Sequence, residues 1–174
     1  KMTKKIYLIL FAIMTLQFSL SQIEFTQSND IIVVKNNNEI QNPWAGGMNF
    51  CQFSKLDINL DGIDDLFVFD KSGKNGTSNG NKIIPFIFSE LENNFIYAPE
   101  YLKSFPELKD WALILDYNQD GKADIFTSQN SAIGLYTNIS SDQLEFEFTK
   151  IITSDAGFGP TNLYVSNSDL PAIV

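Results

Sequence analysis

The sequence predicts an all-β protein built from repeated units of short antiparallel strands. Three observations carry that expectation. Short apolar runs rich in Phe, Ile, Val and Tyr are separated by clusters of turn residues. An Asp/Asn/Gly motif occurs twice, 59 residues apart. Beyond the first 21 residues, no stretch carries the apolar period of an amphipathic helix.

Composition narrows the chemistry. The chain has 174 residues, enough for one domain or a piece of a longer array, and is 44% hydrophobic with 15 Phe, enough for a packed core. All 12 basic residues are Lys, against 21 acidic residues, for a net charge of −9. Without His there is no imidazole base for a Ser-His-Asp or Cys-His nucleophile, and no His-based zinc site. Without Arg there is no guanidinium clamp for phosphate. So acidic a chain repels nucleic acid. The single Cys51 excludes an internal disulfide and a CxxC site.

Taken in chain order, residues 1–21 read as a signal peptide. Lys4 and Lys5 precede the apolar run Ile6 to Leu16, and Ser19 and Ser21 stand at −3 and −1 of a cut before Gln22. The run is short for a membrane span. Cleavage leaves a charge of −12 and predicts a secreted or cell-surface protein with no membrane span. Residues 22–43 form N-terminal strands and a lead-in, with strands at Glu24–Thr26 and Ile31–Lys35. The first repeat, 44–103, has strands expected at Phe50–Leu56, Leu66–Asp70, Ile83–Ser89 and Phe95–Ala98. The polar stretch Lys71 to Asn81 inside it reads as a flexible hairpin loop. The second repeat, 104–162, has strands expected at Trp111–Leu115, Ile125–Ser128, Gly134–Asn138 and Glu145–Ile152, the last opening on a strict Glu-Phe-Glu-Phe alternation. A third repeat starts at 163–174, with a strand at Leu163–Val165. Its apolar ending matches the approach to the two motifs, so residue 175 is expected to be Asp and the chain to be the N-terminal part of a longer protein.

Both motifs read D-x-N-x-D-G-x-x-D-[LI]-F. Carboxylates and an amide at positions 1, 3 and 5 of a tight loop can converge on one centre when glycine at position 6 permits the turn. A carbonyl at 7 and a carboxylate at 9 complete an oxygen cage for a hard cation. The first cage is Asp57, Asn59, Asp61, the carbonyl of Ile63, and Asp65. The second is Asp116, Asn118, Asp120, the carbonyl of Lys122, and Asp124. Each set carries three carboxylates, and six or seven flexible oxygens favour Ca²⁺ over Mg²⁺. Val68 and Thr127 occupy position 12, where an EF-hand needs a bidentate Glu, and strands follow instead of helices. The plainer alternative is a pair of Asp-Gly hairpin turns with solvated charges. Agreement at all of positions 1, 3, 5, 6 and 9 in both loops favours calcium, because carboxylates packed so closely repel one another.

These loops, each followed by a short apolar strand, resemble the FG-GAP/VCBS repeats of integrin α-chain β-propellers and of many secreted bacterial proteins. The resemblance spans about residues 44 to 174 and is specific in the loops, while the Phe-Gly and Gly-Ala-Pro signatures survive only as Phe158-Gly159-Pro160. It implies β-propeller-type blades of about 60 residues, with calcium held in the loop joining two strands of a blade. At that size the chain is a partial propeller of about two and a half blades. The lead-in Trp44 to Asn49 is similar to secreted repeat proteins of Bacteroidetes-type bacteria, and 17 Asn with no Arg fit an AT-rich bacterial genome.

Other residues read as structural. Asp64 has Ala123 as its counterpart and faces opposite to Asp65, so it is a solvated charge. Glu145 and Glu147 share a solvent face. Trp44 and Trp111 pack beside the loops, Cys51 is inert core, and nothing around Lys103 or Lys109 depresses a pKa. The function expected is a secreted, non-catalytic, calcium-binding module that binds an extracellular protein or glycan. The rival is an accessory or catalytic propeller domain of a secreted polysaccharide-degrading enzyme.

Overall fold

A strand sends successive side chains to opposite faces, and the central strands here are buried on both. The structure is a computed structural model that describes residues 31–72, 82–130, 132–155, 157 and 159–163. The expected signal segment 1–21, the strand at Glu24–Thr26, most of the 71–81 connection and residues 164–174 lie outside the described residues.

Among the described residues, twelve strands form four antiparallel sheets, none of them closed, so the all-β expectation is met. Strands β1 (Val34–Lys35) and β2 (Asn38–Glu39) pair as a hairpin. The two residues between them, Asn36 and Asn37, have φ of 53° and 63°, the double left-handed conformation of a tight hairpin turn. Strands β3 (Cys51–Leu56), β4 (Asp65–Asp70), β5 (Lys82–Ser89) and β6 (Asn94–Tyr97) form a four-stranded meander in chain order. Strands β7 (Ala112–Leu115), β8 (Asp124–Gln129), β9 (Ala132–Asn138) and β10 (Phe146–Ile151) repeat that meander. Strands β11 (Thr153–Asp155) and β12 (Pro160–Asn162) form a last hairpin.

The two meanders stack face to face. Leu56, Phe67, Phe69 and Ile83 of the first meet Ala112 and Ile125 of the second in one buried cluster. Full burial of each large side chain contributes about 1.5–3 kcal/mol. The odd residues of β4 face this cluster, whereas Val68 packs with Ile84, Phe86 and Tyr97 on the other face. The outer face of the second meander buries Trp111, Phe126, Ile133 and Leu135. The first strands, β3 and β7, lie side by side, and the β7 Ala112 N–H donates to the Gln52 side-chain carbonyl at 3.0 Å.

A 3-10 helix at Pro99–Ser104 wedges the seam between the sheets. Tyr101, Leu102 and Phe105 pack against the shared cluster, with Phe105 contacting Phe67 and Phe146. Its start follows from Pro85 in β5. The Pro85 carbonyl accepts the Ala98 N–H at 3.0 Å, but its ring nitrogen has nothing to donate back. The β5–β6 ladder stops at Tyr97, and the chain leaves the sheet for a helix whose first residue is Pro99.

Several expectations need correction. The first strand begins at Val34, not Ile31, and Leu163 lies outside any strand. Strands β2, β11 and β12 and the 3-10 helix were not expected, since their short polar stretches carry no apolar period. Trp111 precedes β7 and so sits at the strand end away from the Asp116 loop, fully buried, while Trp44 remains 41% exposed. The Trp111 indole N–H lacks a hydrogen-bond partner among the described residues.

One side chain closes an open sheet edge. On β6, the Phe95 carbonyl accepts from Asn42 Nδ2 at 2.9 Å, and the Tyr97 N–H donates to Asn42 Oδ1 at 2.8 Å. The amide of Asn42 thus stands in for the next strand. Asn42 also holds φ at 49°, which Asn tolerates better than most residues. Replacing Asn42 with Ala should cost about 1–3 kcal/mol in urea unfolding and increase self-association in sedimentation velocity. A variant as stable and monodisperse as the parent would remove the edge-closing role.

Candidate functional site

Both Asp/Asn/Gly motifs occupy the same place: the loop between the first and second strands of a meander, β3–β4 and β7–β8. Their backbones match. Position 4 is left-handed in each, at Leu60 (φ 63°) and Gln119 (φ 61°), as is the glycine at position 6, Gly62 (φ 85°) and Gly121 (φ 87°). An L side chain at position 6 would be strained, whereas the position-4 residues accept a conformation rare for their type.

The side-chain pattern also repeats bond for bond. In the first loop Asp57 accepts the N–H groups of Asp61 (3.1 Å) and Gly62 (2.9 Å). Asn59 Oδ1 accepts the same Asp61 N–H at 3.1 Å, and Asp61 Oδ1 accepts the Ile63 N–H at 2.8 Å. Asn59 Nδ2 donates to Asp61 Oδ2 at 2.8 Å. In the second loop Asp116 accepts from Asp120 (3.2 Å) and Gly121 (2.9 Å), and Asn118 Oδ1 accepts from Asp120 (3.0 Å). Asp120 Oδ1 accepts from Lys122 at 2.9 Å, and Asn118 Nδ2 donates to Asp120 Oδ2 at 2.9 Å. Positions 1, 3 and 5 are therefore brought together in both loops, with their oxygens turned inward on the backbone.

Position 9 behaves differently. Asp65 and Asp124, at 1% and 0% exposure, sit at the base of their loops as the first residues of β4 and β8. Asp65 Oδ2 accepts the N–H groups of Ile58 (2.8 Å) and Asn59 (3.3 Å), and Oδ1 accepts that of Phe88 on β5 (2.7 Å). Asp124 Oδ2 accepts from Tyr117 (2.9 Å) and Oδ1 from Asn138 on β9 (2.8 Å). Each carboxylate ties its loop to the third strand. This clamp was not anticipated from the sequence; the adjacent pair Asp64-Asp65, one carboxylate per face, was its available signal.

Electrostatics follow from position. Burial pushes the Asp65 carboxyl up; its three N–H donors oppose that, and the Asp61 charge adds to it. The Asp120 carboxyl is held down, chiefly by the Lys122 N–H and then by the Asn118 amide. Asp64 faces solvent and pairs with Lys55 at 2.8 Å. The Lys122 ammonium reaches the Ser140 carbonyl and ties the second loop to the β9–β10 connection.

Chemically, every donor at these positions is a hard oxygen, the right type for Ca²⁺. Each oxygen that accepts one N–H keeps a second lone pair. Among the described residues, no group of three or more acidic or Cys side chains lies close enough to hold a metal ion as they stand. A scan against protein-family models, a search of the curated proteins and a search of the solved structures each found no match to this chain.

A further carboxylate escaped the sequence reading. Asp70, at the end of β4, accepts from the N–H groups of Asn49, Phe50 and Ser72 and from the Ser72 hydroxyl. Burial pushes its carboxyl up, but these four bonds outweigh burial and hold it down at about 2.

Two predictions separate these acids. Asp65→Ala strands three backbone N–H groups and should cost about 3 kcal/mol or more in urea unfolding. Its neighbour variant Asp64→Ala should stay within about 0.5 kcal/mol of the parent. Equal losses would refute the clamp. For Asp70 the folded pKa lies below the unfolded one, so its contribution is fully present above about pH 4 and is lost as pH falls toward 2. Asp70→Asn should cost stability at about pH 6 and flatten the stability loss between about pH 4 and 2. An unchanged acid limb would refute that role.

Proposed function

We propose that this chain is a calcium-stabilised repeat module of an exported protein, non-catalytic, that binds an extracellular protein or glycan. In this reading each four-stranded meander is a blade of the β-propeller type. The observation that carries it is the pair of loops, alike in backbone and in hydrogen bonding and placed at the same point of two equivalent, face-to-face sheets. Two independent hairpin turns have no reason to agree so fully. A shared cation requirement gives them one.

Calcium would be held by Asp57, Asn59, Asp61, the Ile63 carbonyl and Asp65 in one loop. The other set is Asp116, Asn118, Asp120, the Lys122 carbonyl and Asp124. The ion would supply the positive charge that closely spaced carboxylates otherwise lack. Its role is structural: a bound cation stiffens the first hairpin of each sheet and offsets the burial cost at position 9. Affinity should fall in the range of extracellular modules, a dissociation constant of about 10⁻⁴–10⁻³ M. The absence of His and Arg supports binding over catalysis.

Thermal melts in EGTA and across a calcium titration test the proposal, with Asp57→Ala and Asp116→Ala alongside. The melting temperature should climb through the millimolar range. At tenfold excess over the dissociation constant each site should contribute about 1.4 kcal/mol. Each variant should lose part of the gain, Asp57→Ala the larger part, and the double variant all of it. A melting temperature indifferent to calcium would sink the cage and leave two self-capped Asp-Gly turns.

A further inference from the structure

We propose that a trench between the 3-10 helix and the β9–β10 connection binds a neutral, hydroxyl-rich oligosaccharide. The trench has two lobes, of about 410 and 310 Å³, that share Lys103, Ser104, Gln143 and Leu144 along their walls. Each lobe is within the size range of small-molecule sites, about 300–1,000 Å³.

The rim carries polar groups that the fold leaves unused. Among the described residues, the side-chain heads of Glu100, Lys103, Asp142 and Gln143 make no hydrogen bond or ion pair. They stand around a partly apolar floor that includes Phe105 and Phe146, whose rings stack at 5.9 Å and 22°. Carboxylate acceptors, an ammonium donor and an amide that does both suit hydroxyl groups, which donate and accept in turn. Part-exposed aromatic rings suit the C–H faces of a sugar ring.

The charge pattern selects among ligands. Glu100, Asp142 and Glu145 on the walls repel an anion, which removes phosphate and acidic sugars. Lys103 stands where both lobes meet, which disfavours a polycation running the length of the trench. A neutral polyol meets neither penalty. The proposal deepens the reading of the chain as a binding module; because Asn59 of the first loop lines the smaller lobe, the binding experiment is run in EGTA, so that it and the calcium melts fail separately.

The test is an NMR titration of the ¹⁵N-labelled chain. Probes are an array of neutral hexose and pentose oligosaccharides, an oligogalacturonate and a pentalysine peptide. Saturable shifts confined to the 3-10 helix and the β9–β10 connection, from a neutral oligosaccharide, are the expected result. Gln143→Ala and Lys103→Ala are surface changes that keep the fold, checked by an unchanged melt. Each should weaken binding about fivefold, the equivalent of one lost hydrogen bond of about 1 kcal/mol. Three results overturn the proposal: no neutral oligosaccharide shifts these resonances, both variants bind as the parent does, or only the acidic sugar or the peptide binds.

Discussion

A buried carboxylate at the root of each Asp/Gly loop sets the geometry of the whole hairpin. Asp65 and Asp124 spend both oxygens on backbone N–H groups, one oxygen on the loop and the other on the third strand. That arrangement couples three strands of a meander at one end through a single side chain. Without it the buried Ile58 N–H would face a desolvated interior with nothing to accept it. The left-handed residues at positions 4 and 6 are consequences. Once the loop must return its backbone to the position-9 carboxylate within a few residues, the chain has to turn sharply, and glycine is the least costly residue at position 6.

Clamping the loops in turn sets up the packing between sheets. Because β3 and β4, or β7 and β8, leave the loop in fixed register, their alternating side chains present one flat apolar face to the neighbouring sheet. A slip of one residue would swing Phe67 and Phe69 out of the shared core and Val68 into it. The 3-10 helix adds Tyr101, Leu102 and Phe105 to the shared cluster. The wedge is available because Pro85 ends the β5–β6 ladder early. A local feature of backbone chemistry, the missing N–H of one proline, thus releases the segment that seals the inter-sheet core and forms one wall of the trench.

The sequence made the four long strands of each meander legible, because their apolar runs are long and bounded by turn residues. It placed eight of them to within a residue or two at either end. The short strands escaped because two or three polar residues show no period; the β1–β2 hairpin was signalled only by the consecutive left-handed asparagines at its turn. The 3-10 helix escaped for a different reason. Its apolar side chains serve two neighbouring sheets at once and so follow neither a helical nor a strand period. At the loops, the motif named the residues that converge. It could not tell that position 9 is a structural clamp, since that role is defined by Phe88 and Asn138, 23 and 14 residues further on. Asp70 was invisible for the same reason, as its partners Asn49 and Phe50 come from the residues just before β3.

The two loops match in hydrogen bonding but not in field, and the difference bears on the calcium reading. At position 7 the first loop has Ile63 and the second has Lys122, whose ammonium extends to the Ser140 carbonyl. At position 8 the first has Asp64, already neutralised by Lys55, and the second has Ala123. Leaving that ion pair aside, each loop holds three cage carboxylates, but only the second has a cation tethered beside them. Like charges a few ångströms apart at a protein surface cost a few kcal/mol before salt screening, about 4 at 4 Å for an effective dielectric of 20. An ammonium whose charge helps hold the Asp120 carboxyl down would compete with a divalent ion for the same field, and its tie to Ser140 anchors the loop. On the calcium reading the first loop therefore fills at lower ion concentration, while the second gains less order when it fills. On the same reading that lysine offsets the carboxylate repulsion of the second loop without metal, so the second meander would depend less on the ion for its stability than the first.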